Sequence, residues 1–177
     1  MKWYIMVLRK YTDFTGRARR KEFWMFVLFT IIIGIVAQIL DHMLGLNFSK
    51  QLTSSGWIST LYNLAVFIPS LAVTVRRFHD IGKSGWVYAR FCIAMFTGVL
   101  AFVFYMVFTV LKNSDMDSLK EGTLDPAVFT GTFFMVVALF VLFILVLGIW
   151  QIALLCKDSQ PGDNKWGPNP KEGSMMG

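Results

Sequence analysis

The chain has 177 residues, 55% of them hydrophobic and 16% charged, with a formal net charge of +6. A water-soluble domain of this size covers its surface with charge that this sequence lacks. The longest polar segments are the first 22 residues and the last 21, which leaves no room for a separate soluble domain. The basic excess does not point to nucleic acid, because the positive residues sit within a turn or two of apolar runs, where anionic lipid accounts for them.

In chain order, Trp3, Tyr4, Val7, Leu8 and Tyr11 recur at helical spacing beside Lys2, Arg9 and Lys10. That pattern predicts a short helix lying in the membrane interface. Four stretches then carry no charged side chain, residues 23–40, 57–75, 91–111 and 127–156. About 20 apolar residues in a helix cross the hydrocarbon core. The expected fold is therefore an all-α membrane protein, a single multi-pass domain over 1–177 with four transmembrane helices. Residues 1–22 form a cytoplasmic or interfacial segment and 157–177 a cytoplasmic tail. The first run is not a signal peptide, since a long basic segment precedes it and no small-residue cleavage site follows closely. Pro69 falls inside the second span and frees a carbonyl or kinks the helix, with Ser70 and Thr74 nearby to take up the loose bonding. The fourth run is longer than one crossing needs and must tilt or start along the outer surface. Cys92 and Cys156 are isolated and read as packing residues rather than a disulfide or metal pair.

Lys and Arg asymmetry sets the orientation. Fourteen of the 17 basic residues fall in the N-terminal segment, the 76–90 connection and the tail, whereas the 41–56 and 112–126 loops hold Lys50, Lys112 and Lys120. Both termini are then cytoplasmic. Within the spans no ionisable residue stands at mid-depth and no repeat relates the two halves, which argues against a proton-coupled pump. Gln38, Asn63 and Gln151 are the deeper polar side chains.

Three polar segments face the cytoplasm in this topology, and they hold whatever chemistry there is. They are Gly16-Arg17-Ala18-Arg19-Arg20, then Arg76-Arg77-Phe78-His79-Asp80-Ile81-Gly82-Lys83-Ser84-Gly85-Trp86, then Asp158-Ser159-Gln160-Pro161-Gly162 followed by Gly167-Pro168-Asn169-Pro170. In this order around four spans they resemble the domain-of-unknown-function 805 family of small bacterial inner-membrane proteins. The resemblance covers nearly the whole chain and implies a multi-pass protein of a bacterial inner membrane. That family has no settled activity, so it lends no catalytic residue.

The residues themselves go further. On a continued second helix, Arg76 and Arg77 stand four and three residues before Asp80 and can meet it on one face. Gly82 is a natural stop, and Lys83-Ser84-Gly85 makes the turn. Asp158, opposed by the macrodipole at a helix C-terminus, needs a basic partner from the 17–20 or 76–77 clusters. Glu22, at a helix start, suits the same network. Arg rather than Lys at 17, 19, 20, 76 and 77 favours bidentate pairing with carboxylate or phosphate, whereas Lys2, Arg9 and Lys10 read as plain topology charges. One histidine is too few for zinc, so His79 caps carbonyls while Asp80 satisfies an arginine. Trp166 among prolines implies that the tail packs back on the body. No nucleophile–base set or cofactor motif emerges. The expected site is thus a charge network of Arg17, Arg19, Arg20, Glu22, Arg76, Arg77, His79, Asp80 and Asp158, structural or anion-binding, without cofactor or metal. The expected role is a non-enzymatic scaffold or accessory protein that binds anionic phospholipid or a partner membrane protein, or forms a homo-oligomer. The rivals are a small oligomeric transporter or channel and a membrane enzyme acting on lipid headgroups through His79 and Asp80.

Overall fold

The computed structural model describes residues 1–48, 55–113 and 126–170. Its regular elements there are α1 (Lys2–Arg9), α2 (Arg20–Met43), α3 (Trp57–Asp80), α4 (Trp86–Asn113) and α5 (Pro126–Cys156). Lys50, Lys171 and most of the acidic 112–126 loop lie outside the described residues. The helices α2 to α5 are each long and apolar enough to cross a membrane. They overrun the charge-free runs: α2 starts at Arg20, α3 continues to Asp80, and α4 begins at Trp86. The apolar length answers to the hydrocarbon, but a charged side chain at either end leaves the backbone ladder intact.

The chain forms two compact units, one of Met1–Tyr88 with the segment from Leu155, the other of Ala89–Leu154. In the first, α2 and α3 run antiparallel and are tied at both ends. At one end the Asp41 carboxylate accepts from the backbone N–H groups of Ile58 (2.9 Å) and Ser59 (2.8 Å). A side chain from α2 thus caps the start of α3, whose unpaired N–H groups and positive dipole end favour a carboxylate. The capping position itself is Gly56. A Cβ there would overlap the Asp41 carboxyl carbon, so the glycine makes room for the visiting cap. At the other end Arg76 Nη1 meets Glu22 Oε1 at 3.1 Å. Asp41 and Glu22 stand about 28 Å apart along the helix, close to the thickness of a bilayer's hydrocarbon core.

Helix α1 packs on this pair through buried Tyr4 and Val7 and leaves Lys2, Arg9 and Lys10 exposed. The Tyr4 ring stacks on Phe26 with centroids 5.3 Å apart, and its hydroxyl lies 3.1 Å from that of Tyr62. Burial, then the Tyr62 bond, pushes the Tyr4 phenol above its ordinary range. Pro69 stands inside α3 without ending it. Having no N–H, it leaves the Ala65 carbonyl without its helical donor. Tyr11, just past α1, supplies one: its hydroxyl donates to Ala65 O at 2.7 Å. Ser70 and Thr74, expected to take up that loose bond, instead donate to the carbonyls four residues before them, Val66 and Ser70.

In the second unit, Phe102 stacks on Phe140 at 4.1 Å and Gly98 lies against the Phe143 ring, where a Cβ would collide. Cys92 and Cys156 are both free and exposed rather than packed.

Candidate functional site

The end of α3 carries the site. Gly82 (φ 74°) stops the helix in a left-handed turn, with Lys83 N–H bonded to Phe78 O at 2.9 Å and Gly82 N–H to His79 O at 3.1 Å. This Schellman arrangement leaves Arg76, Arg77, His79 and Asp80 on the last turn, all buried.

Asp80 is the centre. Its Oδ1 accepts from Arg17 Nε at 3.1 Å, and its Oδ2 accepts from Arg77 Nη1 and from Ser159 Oγ, the latter at 2.6 Å. Both guanidinium groups and the carboxylate are almost wholly excluded from solvent. The other donors of Arg17 go to backbone carbonyls of the tail. Nη1 reaches Gly162 O (2.8 Å) and Gly167 O (3.3 Å), and Nη2 reaches Gln160 O (2.5 Å). The other donors of Arg77 close the last turn of α5: Nε donates to Leu155 O at 3.0 Å and Nη2 to Lys157 O. Those carbonyls are acceptors that a helix C-terminus leaves unpaired, at the negative end of its dipole. The planar five-donor fork of arginine serves a carboxylate and several carbonyls at once, which an ammonium group does not do.

The rest of the cluster surrounds this core. Arg76 pairs with Glu22 rather than with Asp80, and its own carbonyl accepts from Ala18 N–H at 3.1 Å. The Nε and Nη2 atoms of Arg76 are buried without a hydrogen-bond partner among the described residues. Arg20 pairs with Asp158 at 2.9 Å and donates to Cys156 O at 3.2 Å, so Asp158 has the basic partner that its position demands. Arg19 lies over the Trp3 ring and donates to Pro170 O. His79 Nδ1 bonds the Gly16 carbonyl at 3.2 Å, and its ring stacks on Trp166 at 4.5 Å and 9°. The Lys165 ammonium sits 4.2 Å from the Trp166 centroid.

All nine residues expected in the network lie at this end of the first unit, as an Arg17–Asp80–Arg77 cluster, separate Arg76–Glu22 and Arg20–Asp158 pairs, and Arg19 and His79 held by aromatic rings and backbone carbonyls. They divide by depth. Arg17, Glu22, Arg76, Arg77, His79 and Asp80 are buried. The Arg20–Asp158 pair is open, with side chains 43% and 60% exposed. The turn carbonyls at Gln160, Gly162 and Gly167 were not legible in the sequence, because a backbone acceptor has no letter of its own. The Gly and Pro content of the tail marked turns there, and Trp166 marked the packing. Just before the site, Asp13 accepts from Thr15 Oγ1 (2.6 Å) and Thr15 N–H (3.0 Å), which holds its carboxyl below the usual carboxylate range. Among the described residues, no group of three or more His, Cys, Asp or Glu side chains is placed to hold a metal.

Residues 11–118 match the family model described as Protein of unknown function (DUF805). Inner membrane protein YhaH of Escherichia coli (strain K12) is 42% identical over 104 residues, 59% of this chain and 84% of that relative. Inner membrane protein YhaI of the same strain is 45% identical over 85 residues, 48% of this chain and 66% of that relative. No solved structure matches the chain.

Proposed function

The chain belongs to the DUF805 family, and from that premise we propose that it is a non-enzymatic scaffold or accessory protein of the inner membrane. In this reading both termini are cytoplasmic and α1 lies in the inner interface. The end of α3 forms a rigid platform there, presenting basic charge to anionic phospholipid or to a partner membrane protein.

The observation that carries the reading is how the positive charge is distributed. Arg17 and Arg77 are buried against Asp80 and backbone carbonyls, which binds the 14–20 segment, the end of α3 and the tail into one block. Lys2, Arg9, Lys10, Lys21, Lys157 and Lys165 remain exposed around that block. Exposed basic residues at a membrane surface attract anionic lipid by about 1 kcal/mol each. The reaction class that His79 and Asp80 would serve has less support. Asp80 has its carboxylate on three donors, and His79 has one nitrogen on a carbonyl and its ring against Trp166.

The test has two parts. Cysteine accessibility in intact cells is expected to place positions 84 and 165 inside; external labelling at either refutes the orientation. Nanodiscs are expected to show enrichment of phosphatidylglycerol over phosphatidylcholine around the wild type, reduced when Lys10, Lys21 and Lys157 become Gln. A headgroup-modifying activity lost in His79→Gln with the tail still packed would overturn the non-enzymatic reading.

The transporter reading rests on a separate observation. Gln38 and Asn63 are exposed on α2 and α3. An amide-lined path at their level would form against another helix or a second copy, and disulfide trapping between Gln38→Cys chains would detect the copy.

A further inference from the structure

Between α2 and α3, on the side of Asp80, lies a cavity of about 140 Å³ whose lining includes Phe23, Val27, Ile31, Ser70 and Val73. Its walls are largely hydrocarbon. Of the hydroxyls that line it, those of Ser70 and Thr74 are bonded to carbonyls of their own helix, Val66 O at 2.6 Å and Ser70 O at 2.7 Å, and that of Thr30 is buried with no hydrogen-bond partner among the described residues. Phe23, Val27 and Ile31 follow one another at four-residue spacing, so they form a single stripe of α2 about 12 Å long. One turn before Phe23 the stripe reaches Arg20, whose side chain is 43% exposed despite its bond to Asp158. Lys21 beside it and Trp24 on the next turn are exposed as well. An apolar cleft thus runs up from a basic helix start, with an indole at the height of the junction.

We propose that this cleft seats one acyl chain of an anionic phospholipid, with the phosphate resting on Arg20 and Lys21. The proposal rests on the orientation above, which sets the start of α2 in the inner leaflet. Four physical features select this occupant. The cleft offers methylene-compatible surface, which at this depth an acyl chain fills at lower cost than water. The Arg20 fork accepts a phosphate as readily as a carboxylate, and the Asp158 it now holds is 60% exposed, so the exchange buries no lone charge. The positive end of the α2 dipole adds to Arg20 and Lys21, which gives the rim the sign that anionic headgroups require. Trp24 then stands where an indole prefers the headgroup layer.

The experiment uses the full chain extracted from bacterial membranes in mild detergent. Native mass spectrometry reads retained lipid, and nanodiscs of phosphatidylglycerol mixed with phosphatidylcholine read preference. The wild type is expected to keep one phosphatidylglycerol. Val27→Trp, which fills the cleft, is expected to lower that retention about tenfold, since the loss of a few buried methylene contacts is enough for such a change. Arg20→Gln with Lys21→Gln is expected to erase the preference for phosphatidylglycerol while phosphatidylcholine is still retained. Ser70→Leu fills the cleft from the opposite wall and takes the place of Val27→Trp if that variant does not fold. Full retention in the filled variants with loss in the charge variant overturns the cleft but leaves the basic platform standing. Retention unchanged in all variants overturns both readings. Retention of a free fatty acid in place of phospholipid overturns the assignment of the occupant.

Discussion

The hydroxyl of Tyr11 donates to the carbonyl of Ala65 at 2.7 Å, the group that Pro69 leaves without a helical donor. A polar group unpaired within an apolar medium is expensive. Two residues far apart in sequence thus settle a deficit created by a third. Tyr11→Phe is expected to cost about 1 kcal/mol. In a Pro69→Ala background the residue at 69 has an N–H again, and the same substitution should cost little. A double-mutant cycle on unfolding in detergent reads the coupling. Equal costs in both backgrounds would show that the bond does not make good the donor that Pro69 lacks.

The two carboxylates of the platform should behave very differently. Asp80 is buried between two guanidinium groups, whereas Asp158 and Arg20 are half open to solvent. Removing the carboxylate charge in Asp80→Asn strands buried cations and is expected to cost about 3–5 kcal/mol. Asp158→Asn breaks an exposed pair worth about 0–1 kcal/mol. Thermal unfolding of the two variants in one detergent compares them directly. A larger loss for Asp158→Asn would displace Asp80 from the centre of the network.

At the opposite end of α2, Asp41→Asn weakens the cap on α3 and Gly56→Ala drives a methyl group into it. Each is expected to lower the melting temperature. Because both act on one carboxylate, the double variant should be little worse than the poorer single one. Full additivity would mean that the glycine serves some purpose other than room for Asp41.

The tail supplies a third comparison. Trp166→Ala removes the stack on His79 and should cost about 0.5–1.5 kcal/mol. Arg17→Lys keeps the charge but loses the fork that joins Asp80 to Gln160, Gly162 and Gly167. In both variants trypsin is expected to cut at Lys157 and Lys165 earlier than in the wild type. Cutting at the wild-type rate in Arg17→Lys would show that the tail is held without it.

Features that depend on local composition could be read from the residues alone. Charge-free runs of bilayer length made the four long helices, and Gly82 stopped α3 because only glycine takes φ 74° without strain. The membership of the platform was legible too, since arginines and carboxylates placed at the ends of apolar runs have few other places to go. Partner choice was decided only by the tertiary structure. Arg76 was as well spaced for Asp80 as Arg77 was, yet it turns to Glu22, because α2 brings that carboxylate to it and Arg17 and Arg77 already hold Asp80. Asp41 as the cap of α3, Tyr11 as the donor to Ala65 and the tail carbonyls around Arg17 were likewise invisible. Each joins a side chain to a backbone group of a distant segment, and the geometry of such a bond exists only once the helices have packed.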